Sequence, residues 1–182
     1  MSNISTAYGK IKIECKSVES LATLLTLQAV NNSKEFYYPT NLYICNKCID
    51  IYSNKGTDEN EKAFFLYHYL LNKLQSNKIT LDFSGNGRWN FCGNVKWFFN
   101  CLTLENFKGK KKPCFLKYLE NVAQNEIFRV TFRGVDTEEE IQFLSKFKTE
   151  VTYKKGNIKT EDIYYKDIEY TKDNLKKYGF EN

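Results

Sequence analysis

Arg88, Trp89 and Asn90 set a guanidinium, an indole and an amide at three consecutive positions, just past Gly85, Asn86 and Gly87. Glycine and asparagine reach positive φ readily, so this spacing predicts a sharp chain reversal with the three recognition side chains on its far side. Guanidinium groups grip phosphates or carboxylates through paired hydrogen bonds, and an exposed indole stacks on an unpaired base. Arg129 and Arg133 add two guanidiniums on one face of an alternating stretch, with Thr131 between them. With Tyr153 or Tyr165 nearby, such a face would hold single-stranded RNA as sheet-based modules do. The block Lys108, Lys110, Lys111 and Lys112, ahead of Pro113, reads either as long-range attraction for a polyanion or as a solvated loop.

Other reactive side chains are sparse. Cys45 and Cys48 have the two-residue gap that lets both thiolates reach one metal. A structural zinc needs two more ligands, which His68 or Cys101 would have to supply; the simpler expectation is buried, reduced thiols and no cofactor. His68 is the sole histidine. A two-histidine ribonuclease is therefore excluded, and a histidine-activated nucleophile would depend on that ring. Metal-dependent phosphate chemistry would fall to carboxylates such as Glu14 and Asp82, which read equally as solvent-facing charges. The acidic run DTEEE at residues 136–140 is accounted for by a helix start, where the dipole favours negative charge.

Periodicity supplies the elements that must position these groups. Ile11, Ile13 and Cys15 alternate with Lys12 and Glu14 as in a half-buried strand. Ser17 caps a helix with Val18, Leu21, Ala22, Leu25 and Ala29 on one face. Short strands near residues 36–38 and 42–45 precede a loop at residues 54–56. Asp58 and Glu61 form a capping box for a helix burying Phe64, Tyr67, Leu70, Leu71 and Leu74. A strand holds Ile79, Leu81 and Phe83, followed by the glycine turn and a helix over residues 94–104 in which Trp97 fills the core. Pro113 opens another helix, burying Phe115, Leu116, Leu119 and Val122.

Further along, Phe128, Val130 and Phe132 alternate with Arg129, Thr131 and Arg133 in a strand over residues 127–133. Thr137 and Glu140 predict a helix carrying Ile141, Leu144 and Phe147. Strands near residues 151–153 and 163–170 and a helical turn at residues 173–178 complete the chain. The expected fold is α+β, a ferredoxin-like twisted, mostly antiparallel sheet covered by helices, with helical insertions. It forms one domain over residues 1–182, with a sub-boundary near residues 107–112 as the alternative.

Hydrophobic residues make up 42% and aromatics 16% of the chain, enough to bury a core without metal or disulfide help. A net charge of +5 permits contact with nucleic acid or an acidic protein face, but lacks the concentration of a dedicated duplex binder. No stretch reaches the roughly 18 apolar residues of a membrane span. The start, MSNISTAYGK, lacks the regions of a secretory signal, so a soluble cytoplasmic protein is expected. Abundant Asn, Lys, Ile and Tyr read as the mark of an AT-rich bacterial or phage genome.

The segment LDFSGNGRWNFCGNVKWF, with its central tryptophan, resembles the corresponding part of the Api92-like ferredoxin-fold proteins of phages and plasmids. The segment FRVTFRGVDTEEEIQFL departs from that pattern. More broadly, this compact, Lys/Asn/Tyr-rich chain without an enzyme motif is similar to small type II anti-CRISPR proteins of Firmicutes mobile elements. The resemblance implies an inhibitor of an RNA-guided CRISPR nuclease, acting in the bacterial host cell on the nuclease or its guide-RNA complex. Those proteins share no motif, so no functional residue carries over from them. The alternatives are a ribonuclease that truncates a bound guide RNA, and a nucleic-acid-binding accessory domain with another partner. The expected contact residues are Arg88, Trp89, Asn90, Lys108, Lys110, Lys111, Lys112, Arg129 and Arg133; no catalytic residue and no metal site is assigned.

Overall fold

The computed structural model describes residues 4–32, 40–44, 46–88, 91–103 and 111–180, and for residues 32, 40–44, 46, 88, 92 and 96 the backbone alone. The described strands are β1 (Ile4–Cys15), β2 (Thr40–Ile44), β3 (Lys78–Arg88), β4 (Ile127–Glu138), β5 (Phe143–Lys154) and β6 (Asn157–Asp167). The helices are α1 (Val18–Asn32), α2 (Asn46–Asn54), α3 (Glu59–Lys73), α4 (Cys114–Gln124) and α5 (Lys172–Lys177), with a 3-10 helix over Cys92–Leu102. The strands form one sheet in the order β2-β3-β1-β4-β5-β6, and every neighbouring pair runs antiparallel. The α+β class is therefore as expected. The sheet places its first four strands in the order β2-β3-β1-β4 and adds β5 and β6 beyond β4. Its C-terminal half is a plain meander, because the turns after β4 and β5 are too short to hold a helix.

Helices cover one sheet face in two tiers. The 3-10 helix and α1 contact the strands, while α2, α3 and α4 pack against α1. Residues 20–30 of α1 are all buried, where periodicity predicted a single apolar face. A helix apolar all round is what a double-sided environment requires. Ser17 caps α1, its Oγ accepting from the Ser20 N–H at 3.1 Å. Asp58 caps α3 through the Asn60 and Glu61 N–H groups. Glu61 reaches back to accept from Thr57 N at 2.9 Å, one residue before the cap. Such reciprocal capping satisfies amide donors that a helix start leaves without partners.

Aromatic packing on the covered face depends on two facing glycines. Phe83, Gly9, Gly134 and Phe147 lie opposite one another across β3, β1, β4 and β5. A Cβ on Gly134 would stand 2.5 Å from the Tyr8 carbonyl oxygen and 3.0 Å from the Phe83 ring. The missing side chains let the Phe83 ring lie over the pair and stack on Phe91, with centroids 5.4 Å apart. The Phe132 ring meets Phe83 edge-on at 5.5 Å. Interlocked rings of this kind add to simple area burial.

Several local expectations change. Gly85, Asn86 and Gly87 make no turn: β3 runs straight through them, pairing with residues 5–7 of β1 and 40–42 of β2. Neither glycine has positive φ, and both are buried against neighbouring strands. Residues 139–142 are a hairpin turn rather than a helix start, with Gln142 at φ 51°. The capping residues serve the hairpin instead: Thr137 Oγ1 donates to the Phe143 carbonyl, and Glu138 accepts from Glu140 N. Trp97 is 41% exposed, so the buried aromatics of its helix are Phe98 and Phe99. Phe64 is likewise exposed, the buried face of α3 being Ala63, Leu66, Tyr67 and Leu70. The 3-10 helix replaces the expected α-helix there. The possible sub-boundary near residues 107–112 lies largely outside the described residues.

Candidate nucleic-acid interface

Alternation along the strands leaves the second sheet face polar. Cross-strand pairing, which sequence spacing does not display, sets the composition of each row. Lys10 of β1 stands opposite Arg133 of β4, which stands opposite Lys148 of β5, which stands opposite Tyr164 of β6. Lys146 and Lys166 form the next opposed pair on β5 and β6. Five cations therefore adjoin across four strands. Like charges placed directly opposite cost stability, so this row is a feature the fold bears at some expense. Lys10 is offset by Asp82 at 2.5 Å. Among the described residues no carboxylate lies within ion-pair reach of Arg133, Lys148 or Lys166.

The flanking rows are balanced. Arg129 pairs with Glu150 at 3.4 Å. Glu14 takes Lys78 at 2.9 Å and Lys12 at 3.0 Å, and hydrogen bonds from Lys78 and then Lys12 hold its carboxyl below the usual range. Glu150 faces Glu161 across β5 and β6. The positive charge of the central rows is thereby concentrated in one band crossing the strands.

The tail covers one end of this face. Phe180 lies on Tyr8 with ring centroids 4.7 Å apart, and Leu175 of α5 is buried. Lys146 Nζ sits 4.5 Å from the centre of the Tyr178 ring and, by hydrogen bonding the phenol, pulls its pKa down. Beneath the tail a cavity of about 520 Å³ is lined by Ile4, Thr6, Glu139, Tyr170 and Phe180, among others.

The sequence-predicted contacts are dispersed. Arg129 and Arg133 share the open face as alternation indicated. The backbone of Arg88 ends β3 opposite Ile4, six residues along β1 from Lys10, or about 20 Å at the usual strand rise. Trp89, Asn90, Lys108 and Lys110 lie outside the described residues. Lys111 is exposed, while Lys112 donates to both oxygens of the buried Glu120 at 2.7 Å. Tyr153 is 5% exposed among Phe99 and Phe128, and Tyr165 faces the covered side against Phe143. Lys10, Lys146, Lys148, Tyr164 and Lys166 were not expected. Alternation of Lys146, Lys148 and Glu150 was the available signal.

The candidate catalytic and metal residues do not converge. Glu14 and Asp82 are held by lysines, and Asp82 lies four residues along β3 from the partner of Glu14. That offset is about 13 Å, too far for one metal. His68 is exposed on α3 beside the Phe64 ring. Cys45 lies outside the described residues; Cys48, Cys15 and Cys101 are buried and Cys114 is exposed. Burial, with Glu126 assisting, pushes the Cys15 thiol up to about 12, and burial pushes Cys101 up to about 12. Among the described residues no three His, Cys, Asp or Glu side chains cluster as metal ligands. Within the acidic run, Asp136 is buried and accepts from the Phe91 N–H at 2.6 Å, tying β4 to the start of the 3-10 helix.

Among the described residues no helix is long and apolar enough to cross a membrane. Compared with family models, curated proteins and solved structures, the chain gives no match.

Proposed function

We propose that this chain is a binding protein that inhibits an RNA-guided CRISPR nuclease by seating the open sheet face on the RNA–protein complex. The observation that carries the reading is the row Lys10, Arg133 and Lys148, three cations directly opposite one another on adjacent strands. Self-repelling charge of this kind is relieved by a polyanion, whose phosphates replace water and counterions. Arg133 supplies a two-pronged grip on one phosphate, and the lysines act as point charges on either side. Arg129, two rows away on the same face of β4, assists once released from Glu150. The sequence-level likeness to small anti-CRISPR proteins directs the choice of RNA-bearing partner.

The test is target-DNA cleavage by a guide-loaded type II nuclease with increasing amounts of this protein, followed by electrophoresis of the guide. Lost cleavage with an intact guide supports the reading, provided that Lys10→Gln/Arg133→Gln/Lys148→Gln restores cleavage. Unimpaired cleavage at saturating protein overturns it, and a shortened guide replaces it with a ribonuclease.

A further inference from the structure

We infer that the ligand of the open face is a single strand, one base of which stacks on Tyr164. The inference rests on the polyanion reading above and extends it to strandedness. Tyr164 continues the cationic row onto β6, directly opposite Lys148, and is 39% exposed. A register shift in the β5–β6 pairing falls between Lys148 and Thr149, immediately beside it. Such bulges re-aim side chains, here placing a ring next to the cations. The other tyrosine of the central rows, Tyr8, is already covered by Phe180. Tyr164 has no ring contact among the described residues.

The charge pattern points the same way. The cationic band is one row wide where it crosses β4, and Glu150 and Glu161 face each other in the next row. One phosphate chain fits along that band, whereas the second strand of a duplex would lie over balanced rows, where Glu150 meets Arg129 and Glu161 meets Lys159. A duplex also keeps its base faces stacked inside, leaving the phenol ring nothing to cover. Base–aromatic stacking tolerates any sequence, so contact at Tyr164 does not require base readout.

Fluorescence anisotropy with a labelled single-stranded RNA, the same RNA annealed to its complement, and 2-aminopurine placed along the single strand tests this. The single strand should bind at least tenfold more tightly than the duplex, and 2-aminopurine emission should be quenched on binding at one position. Tyr164→Ala should weaken binding about tenfold and abolish that quenching, with Tyr164→Phe close to the parent. Because no charge is removed, the salt dependence of Tyr164→Ala should match the parent's, while Arg133→Gln lowers it. Unchanged affinity in Tyr164→Ala, or preference for the duplex, overturns the stacking inference and leaves the polyanion reading standing. Absence of binding to either RNA overturns both.

Discussion

Replacing Arg133 by glutamine should stabilise the fold while weakening its hold on RNA. Arg133 lies between Lys10 and Lys148 at directly opposed positions. With charged ends about 6 Å apart in water, each neighbour repels it by about 0.7 kcal/mol. Asp82 offsets part of the Lys10 contribution. At about 10 mM salt, where screening is slight, removing the central charge should therefore relieve about 1 kcal/mol. For a chain of this size that is a rise of about 2–4 °C in Tm. At about 1 M salt the gain should vanish, because the Debye length falls to about 3 Å. Arg129→Gln is the contrasting control. It loses the partner of Glu150, so it should be neutral or destabilising by up to about 0.5 kcal/mol, as exposed pairs generally are. Scanning calorimetry of both variants at the two salt concentrations reads these signs. A lower Tm for Arg133→Gln at low salt would show that the guanidinium stabilises the sheet, and would remove the reason for assigning the row to ligand binding.

Three further outcomes concern the scaffold. Gly9→Ala places a Cβ inside contact of the Arg133 carbonyl and 2.6 Å from Gly134 Cα, so it should cost about 3 kcal/mol or more by chemical denaturation. Asp58→Ala removes the acceptor for the Asn60 and Glu61 amides, and should cost about 1 kcal/mol in the same measurement. Thiol reagents at pH 8 should label Cys114 rapidly and Cys15 and Cys101 only on unfolding. Because the last two ionise only near pH 12 when folded, the unfolded chain loses its protons first. Their contribution is therefore complete below about pH 8.5 and should fade as pH rises toward the folded values, a part of the decline absent in Cys15→Ala/Cys101→Ala.

Much of the scaffold was legible because local chemistry and tertiary packing agree there. Ser17 and Asp58 cap the helices that their positions announce, and the alternation from Phe128 to Arg133 sorts buried from exposed residues correctly. Reading failed where one residue type serves two purposes. Gly85 and Gly87 have turn chemistry, yet β3 carries them as paired strand residues between β1 and β2. Thr137 and Glu140 match a helix start, but Gln142 at positive φ lets the chain fold back and pair its own strands. With that hairpin misread, Lys146 and Lys148 could not be set on the sheet face. The cationic row was illegible for a deeper reason. It exists only through the register of four strands, and Lys10 is 123 positions from Arg133 in sequence.

Single-stranded RNA binding measured over a range of salt concentrations, for the parent protein and for Lys10→Gln/Arg133→Gln/Lys148→Gln, probes the open face itself. If three to five of its cations meet phosphates, the logarithm of the association constant should fall against that of salt with a slope of about −2 to −3.5, and the triple variant should lose about 2 of it. Equal slopes for the two proteins, or no measurable affinity in the parent at low salt, would contradict a polyanion-binding role for this face.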